Sequence, residues 1–556
     1  TDPWERLEKL REQMPSALLQ MLFRGSNALG YTNYPDNVLR RFIQLSAQSG
    51  IDVFRIFDAL NWIENMRVSI DEVLKSGKIC EASICYSGDL SSPAEKKYTL
   101  DYYLKMAQKL EKMGVHFLAI KDMAGLCKPK AAKILFKELK KSIKIPIHFH
   151  THDTSGNGVA TLLNASEAGV DIVDVAIDSW SGFTSQPSFG AVLESLDGNK
   201  RDPKISSAVV RTAANYWEGV RKQYQPFESK TRTSMSEVYL HQMPGGQYTN
   251  LREQARSMGI TDERWPELAS MYAEVNKIFG DVIKVTPISK VVGDMAIYML
   301  ANNIQIQDVL DPKKDVGFPA SVIEFFSGRL GQPYKGFPKA LQKKILKGKK
   351  PINYRFGSRL PSLKIKNRTK ELEKKYSETI SEKDTIAQIF FSEVFDEYIK
   401  HKKKFGNTSV IPTSNYFFGM NTGEEIYVSI EPGKTLIIRY FTLSEPNEKG
   451  YRTVYFELNG QARSVDIKDN SIAVDDLAKE IADPSNKDHV AAPIPGLLVD
   501  VAVTEGIKVP KGAKLCTIEA MKMETVIYAD QPGIVERLCV KAGENIEAQQ
   551  LLLIIK

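Results

Sequence analysis

At 556 residues the chain exceeds what one hydrophobic core supports and divides into three or four domains. A net charge of +7 spread over that length excludes a strong polyanion-binding field, so no nucleic-acid partner is expected, and no apolar run approaches a membrane span. Five cysteines (Cys80, Cys85, Cys127, Cys516, Cys539), odd in number and without metal-type spacing, fit a reducing compartment rather than a disulfide scaffold.

The chain opens on Thr1 rather than Met, from which a cut or processed N-terminus is expected. Short apolar runs then alternate with amphipathic helical stretches: Gln20 to Phe23, Asp52 to Phe57, Glu81 to Cys85, Phe117 to Ile120, Pro146 to His150 and Asp171 to Ala176. This is the rhythm of repeated βα units. Each run ends in polar residues: Arg24, Arg55 with Asp58, Tyr86, Lys121 with Asp122, His150 with His152, and Asp178. In a parallel βα barrel such ends converge on one face, where sites are built. Six strands are counted where a closed barrel of this type has eight, so the first two are expected to be missing. An open doubly wound sheet would remove the deficit, but no Gly-rich phosphate fingerprint follows the first strand, and the polar residues come from nearly every strand end.

His148, His150 and His152 share parity in an extended segment, so at least two imidazoles leave one face, a spacing suited to a metal. Lys121 closes the neighbouring strand. It reads either as a buried cation needing a carboxylate or as an amine that adds carbon dioxide and ligates a metal as a carbamate. Arg55 and Asp58 read equally as a structural ion pair or as site residues.

From about residue 199 to 404 helix-period patterns with Pro breaks predominate, as in Ser206 to Tyr224 and Ile386 to Lys400. Four alternating segments follow, Glu425 to Ile430, Thr435 to Phe441, Arg452 to Leu458 and Arg463 to Ile467, which predict a small β region. Asp469 to Asp488 is polar, with a helical stretch around Val474 to Ile481, and reads as a tether. The last segment repeats itself. Ala492–Leu498 aligns with Ala529–Val535, and the same offset pairs Val503 with Val540 and Gly506 with Gly543. Two hairpin-like halves are expected to pack as a flattened barrel or sandwich, with Lys522 at the turn between them. Met521 and Met523 flank that lysine, an apolar setting for an exposed tip and the mark of a recognised surface.

Glu519-Ala520-Met521-Lys522-Met523-Glu524 resembles the attachment site of biotin carrier domains. The runs Phe23–Asn27, Gly30–Asn37, Phe54–Asp58, Ile120–Gly125, His150–Gly156, Met243–Gln247 and Val285–Asp294 resemble the carboxyltransferase domain of the pyruvate carboxylase family. Together they cover essentially the whole chain. The fold this implies is α/β: a TIM-type (β/α)8 barrel without its first two strands, a helical extension, a small β linking region and an all-β biotinyl domain. Boundaries are placed at 1–200 for the barrel, 201–404 for the helical funnel, 405–470 for the linking region, 471–488 for the tether and 489–556 for the carrier.

The resemblance implies biotin on Lys522, attached by biotin protein ligase, and a divalent metal, Mn²⁺ or Zn²⁺, held by His150, His152, a carbamylated Lys121 and an aspartate from a strand absent here. It implies transfer of a carboxyl group from carboxybiotin to pyruvate, giving oxaloacetate, with Arg24 on the keto-acid carboxylate and Thr286 as proton shuttle. Tyr31, Gln247, Ser289 and Lys290 fall to the biotin pocket and Arg55 to substrate binding. A homotetramer and acetyl-CoA activation are expected of the full-length enzyme, and ATP and Mg²⁺ belong to a carboxylase domain not in this chain. The cytoplasm is the expected compartment, the mitochondrial matrix the alternative. Two other readings stay open: an oxaloacetate decarboxylase α subunit, and a catalytically incomplete carrier or assembly fragment.

Overall fold

A computed structural model describes residues 2–228, 233–447, 450–469, 480–483, 486–520 and 523–556. The chain divides into two units, residues 1–255 with 260–404, and residues 256–259 with 405–556.

The first unit holds helix α1 (Pro3–Gln13) and six parallel strands in sequential order: β1 Gln20–Arg24, β2 Val53–Phe57, β3 Ile79–Cys85, β4 Phe117–Asp122, β5 Ile147–Thr151 and β6 Ile172–Val173. Helices α2 Asp36–Gln48, α3 Ile63–Lys75, α4 Leu100–Glu111, α5 Pro129–Ser142 and α6 Gly158–Glu167 connect them. This is the TIM-type succession, with six strands where a closed barrel has eight. Each helix has a local reason. In α2, Val38, Leu39, Phe42, Ile43 and Leu45 recur at helical spacing and are buried. In α4 the Thr99 hydroxyl caps the N-terminus by accepting from Tyr102 N–H, and α5 begins on Pro129, whose fixed φ suits the first turn.

The sixth strand is shorter than its sequence suggests, two residues rather than Asp171 to Ala176. Past Val173 only one bond continues the ladder, Asp174 N–H to the Phe149 carbonyl at 3.0 Å. Asp178 lies instead in a 3-10 turn, where its carboxylate accepts from Ser188 Oγ and Gly190 N–H.

Strand parity sorts the sheet into two faces. The register sets Arg55 opposite Glu81 and Leu22, Ala119 opposite His148, and Lys121 opposite both Cys85 and His150. Gln20, Arg55, Glu81 and His148 therefore share one face, where their side chains are joined by hydrogen bonds, with Arg24, Phe57, Lys121 and His150 on the same face nearer the strands' C-terminal ends. The opposite face packs on the helices, as in Phe149 against Phe136 with ring centroids 4.7 Å apart. Connecting segments between the helices of residues 320–390 brace the β1–α2 corner: Asn33 donates to the Arg329 carbonyl, Asn37 to that of Leu363, and Arg355 binds the Asp36 carboxylate.

In the second unit, β7 Glu425–Glu431, β8 Lys434–Leu443, β9 Tyr451–Leu458 and β10 Gln461–Lys468 form an antiparallel meander. The expected tether helix around 474–481 falls largely outside the described residues. The terminal domain has eight strands: β11 His489–Ala491, β12 Gly496–Val501, β13 Lys508–Val509, β14 Lys514–Ala520, β15 Met523–Tyr528, β16 Gly533–Leu538, β17 Asn545–Ile546 and β18 Leu551–Ile555. They make two four-stranded sheets, ordered β11-β18-β16-β13 and β15-β14-β12-β17. The repeat is real but not two separate hairpin halves, because each sheet takes two strands from each copy. The core obeys the same exchange: one cluster gathers Ala492, Leu498, Cys516 and Ile518 with Val540, Ile546 and Leu552, and the other gathers their repeat mates Ala529, Val535, Leu553, Ile555, Val503, Val509 and Leu515. Gly496, which opens β12, tolerates no side chain, since a Cβ there would lie 2.4 Å from the Glu519 carbonyl oxygen.

Candidate active site

Two imidazoles face one another at the end of β5. His150 Nε2 and His152 Nε2 are 3.2 Å apart. Each ring is fixed from behind: His150 Nδ1 lies 2.7 Å from Asp174 Oδ2, and His152 Nδ1 lies 2.6 Å from the Thr184 carbonyl oxygen. A carbonyl oxygen only accepts and an ionised carboxylate only accepts, so both Nδ1 atoms carry the proton and both Nε2 atoms are bare. Burial pushes the His150 pKa down to about 4 and that of His152 to about 3, the latter with help from its neighbour. Two lone pairs held against one another call for a cation between them. Two ligand nitrogens on one ion, each about 2.1 Å from it at a tetrahedral angle, stand about 3.4 Å apart.

Lys121 supplies a third group. It faces His150 across the β4–β5 register and is 8 % exposed, with Nζ 5.2 Å from the Phe57 ring centroid. Burial pushes its amine down to about 8, and Arg55 and Arg24 push the same way. Among the described residues no carboxylate stands within ion-pair distance of it, which disfavours the reading as a paired buried cation and suits an amine that becomes a carbamate. No group of three or more His, Cys, Asp or Glu side chains among those residues is placed to hold a metal ion. The donor set here is two imidazoles and this lysine, and it fits a divalent ion.

The turn after β4 is built around these groups. Asp122 is fully buried, and its carboxylate accepts from the N–H groups of Leu126 and Cys127 and from Thr151 Oγ1. Gly125, at φ +69°, lies so close to β5 that a Cβ would be 2.5 Å from the His152 carbonyl oxygen. A Gly125→Ala chain is therefore expected to lose about 1–3 kcal/mol of stability and to displace His152; thermal unfolding and metal uptake measured side by side check it, and an unchanged affinity would show that the turn does not position the ring. The segment Met243–Gln247 arrives from the helix Gly245–Ser257. Gly245 N–H bonds the Met123 carbonyl at 3.2 Å, and a Cβ at Gly245 would lie 2.8 Å from Cβ of Thr184, the residue that holds His152.

Arg24 stands at the end of β1 with no carboxylate partner among the described residues. Nη1 donates to the Leu29 carbonyl at 2.6 Å, Nε is buried and unbonded, and the guanidinium lies 5.8 Å from the centre of the Tyr31 ring, which is 59 % exposed. Arg55 does not pair with Asp58. Asp58 is used up by the N–H groups of Leu60 and Trp62 and by Asn65 Nδ2, while Arg55 pairs with Glu81 and with Asp174 at 2.6 Å, its Nη2 lying 3.0 Å from His148 Nδ1. His148 sits one tier below the facing pair, its two nitrogens 2.7 Å from Glu81 Oε2 and 2.8 Å from Asp174 Oδ1.

The remaining candidates occupy another stretch of the unit. Thr286 is half-buried directly before the helix Ile288–Ala301, and no described hydrogen bond joins it to the histidine pair. In that helix Ser289 is fully buried with an unbonded Oγ, and Lys290 Nζ is 2.7 Å from Asp294 Oδ2. Gln247 packs against it at Gly293, where a Cβ would meet Gln247 Nε2 at 3.0 Å. Lys522 lies outside the described residues.

Glu81, Asp174 and Thr184 were not singled out by sequence reasoning. Glu81 carried a signal, a charged residue inside an apolar strand run, which is rare without a buried partner. Lys284, two residues before Thr286, carried the same signal, a charge within the apolar run Val282–Val285. It is 3 % exposed, its Nζ 3.2 Å from the Val282 carbonyl, and burial pushes its pKa from 10.5 down to about 8. Between those values the unfolded chain binds more protons, so stability rises with pH across that window. Lys284→Met is expected to raise stability at pH 7 by up to about 3 kcal/mol and to flatten the rise. Thermal midpoints from pH 7 to 10 check this, and a midpoint lowered at every pH would refute it.

Three family models match the chain: an HMGL-like model over residues 47–182, a conserved carboxylase domain over 238–439, and a biotin-requiring enzyme model over 488–555. The carboxyl transferase domain of Rhizobium etli pyruvate carboxylase is 51 % identical with a TM-score of 0.82, covering 84 % of this chain and 79 % of that one; it has also been solved with pyruvate and biocytin. Among curated relatives, pyruvate carboxylase of Bacillus subtilis is 49 % identical and the mitochondrial enzyme of Rattus norvegicus 41 %, each matched along all of this chain. The chain spans about half the length of these relatives, 48 % and 47 %. It belongs to the pyruvate carboxylase family, in the portion that joins the carboxyl transferase barrel to the biotin domain.

Proposed function

We propose that the chain transfers a carboxyl group carried on biotin to pyruvate, giving oxaloacetate. The observation that carries this is the pair of bare imidazole nitrogens 3.2 Å apart beside Lys121 and near the unpaired Arg24, at the strand ends where a barrel of this class does its chemistry. A divalent ion, Mn²⁺ or Zn²⁺, held by His150, His152 and Lys121 as its carbamate supplies positive charge where an enolate develops. Arg24 grips the keto-acid carboxylate with parallel N–H groups, a geometry lysine lacks. Thr286 Oγ1 carries a proton from the methyl carbon of pyruvate toward the biotin ring, freeing that carbon to take the carboxyl group. Tyr31, Gln247, Ser289 and Lys290 line the biotin pocket, a role supported by the orphaned Ser289 hydroxyl. Arg55 serves the site from below rather than by touching substrate.

Biotin is carried on Lys522 and attached by biotin protein ligase. The meander β7–β10 acts in the linking region of a homotetramer that answers to acetyl-CoA. Bacterial and mitochondrial relatives support the cytoplasm or the mitochondrial matrix as compartment according to source; among the described residues no helix is long and apolar enough to cross a membrane. The decarboxylase α-subunit and carrier-fragment readings are not favoured, since the curated relatives matched across this chain are pyruvate carboxylases. The reverse half-reaction tests the proposal: metal-loaded chain, free biotin and oxaloacetate are mixed and pyruvate release is followed. Release no faster than without the chain would sink it.

A further inference from the structure

We propose that Asp174 is the positioning residue of the histidine pair, holding His150 in the tautomer that bares Nε2, and that Arg55, Glu81 and His148 exist to hold Asp174. The inference rests on the metal reading of His150 and His152. Asp174 Oδ2 accepts from His150 Nδ1 at 2.7 Å and from Arg55 Nη1 at 2.6 Å, while Oδ1 accepts from His148 Nε2 at 2.8 Å. The far side of the cluster is closed by Glu81, which takes Arg55 Nε and His148 Nδ1.

Each carboxylate of the quartet faces one nitrogen of Arg55 and one of His148, Asp174 taking Arg55 Nη1 and His148 Nε2 and Glu81 taking Arg55 Nε and His148 Nδ1, and Arg55 Nη2 lies 3.0 Å from His148 Nδ1. That surround matters because a buried carboxylate needs donors at both oxygens, and the partners it has on Oδ1 and Oδ2 fix the plane in which Asp174 meets His150 Nδ1. A buried ion cluster is a poor way to stabilise a fold, since apolar side chains of similar volume commonly do as well or better. What this one provides is an acceptor at a fixed point under His150. Its members come from three strands and the segment after β6, so the point is defined by the sheet rather than by one loop. Orientation of a ligating imidazole by a carboxylate on its other nitrogen tunes both ring angle and basicity.

The test has two parts. In the metal-free chain labelled with ¹⁵N-histidine, His150 is expected to show an unprotonated Nε2 and a protonated Nδ1. In titrations with Mn²⁺, free ion being read by electron paramagnetic resonance, Asp174→Asn is expected to bind roughly 10–100-fold more weakly than wild type. Glu81→Gln, which breaks the same quartet without touching His150, is expected to lower the thermal midpoint while shifting Mn²⁺ affinity less than about 3-fold. An Asp174→Asn chain with wild-type affinity overturns the proposal and leaves the metal reading standing, and so does an equal loss in Glu81→Gln. A wild-type chain that takes up no Mn²⁺ removes both. Should Asp174→Asn fail to fold, the wild-type tautomer decides, and a proton on Nε2 refutes the assignment.

Discussion

A Lys522→Arg chain is expected to carry no biotin and to show no transfer between bound and carrier states, with the rest of the molecule intact. Attachment needs an amine that can shed its proton and attack an activated carboxyl, and a guanidinium stays protonated in any protein setting while keeping the charge and reach of lysine. The flanking ladder gives the substitution little structural leverage. β14 and β15 pair antiparallel up to Ala520 opposite Met523, with Glu519 opposite Glu524, and the two core clusters draw on residues away from that tip. Intact mass and streptavidin capture should fall to the unmodified state while the thermal midpoint of the chain holds. Residual capture would place the modification on another lysine.

Arg24→Met should cost roughly 10²–10³-fold in kcat/KM for oxaloacetate or pyruvate, in the range expected when one partner of a desolvated, hydrogen-bonded charge pair with the substrate carboxylate is truncated. The site gives this arginine no other work that would use its charge. Among the described residues it has an orphaned Nε, no carboxylate partner, and one strong bond, to the Leu29 carbonyl. That bond also shapes the turn after β1, so the variant needs a control. Arg24→Lys keeps a cation near the same place without the two parallel donors, and it should restore the thermal midpoint while recovering only part of the rate. Full recovery by lysine would mean that a point charge suffices and the bidentate grip is wrong.

Much of the site could be read from local pattern alone. The short apolar runs from Gln20 to Phe23 through Pro146 to His150 placed the strand ends, and parity within one extended segment put at least two of His148, His150 and His152 on a shared face, because both signals live within five or six consecutive residues. What resisted reading was everything set by register between strands. Arg55 looked for its partner at Asp58, three residues away, while its actual partners are Glu81 and Asp174, 26 and 119 residues on, brought alongside by the sheet. Asp174 was hidden by a misjudged strand: Asp171 to Ala176 reads as one apolar run with two acids, and only the early end of the ladder reveals the second acid as free to turn beneath His150. Thr184 contributes a carbonyl, and a backbone acceptor leaves no trace in the identity of its residue. In the carrier the 37-residue offset was visible, but the trading of strands between its copies was not, since identical repeats can pair within or across.

That trading has a kinetic consequence. β18 (Leu551–Ile555) lies in the middle of its sheet, between β11 and β16, and β12 leans on β17 from the other copy. Neither copy can finish a sheet from its own strands, so the first has no resting state to occupy while the second is still being made. Synthesis of the carrier is then followed by a single late closure with long-range pairings, slow for its size and all-or-none, and biotin ligation has no folded substrate until the ribosome has delivered β18.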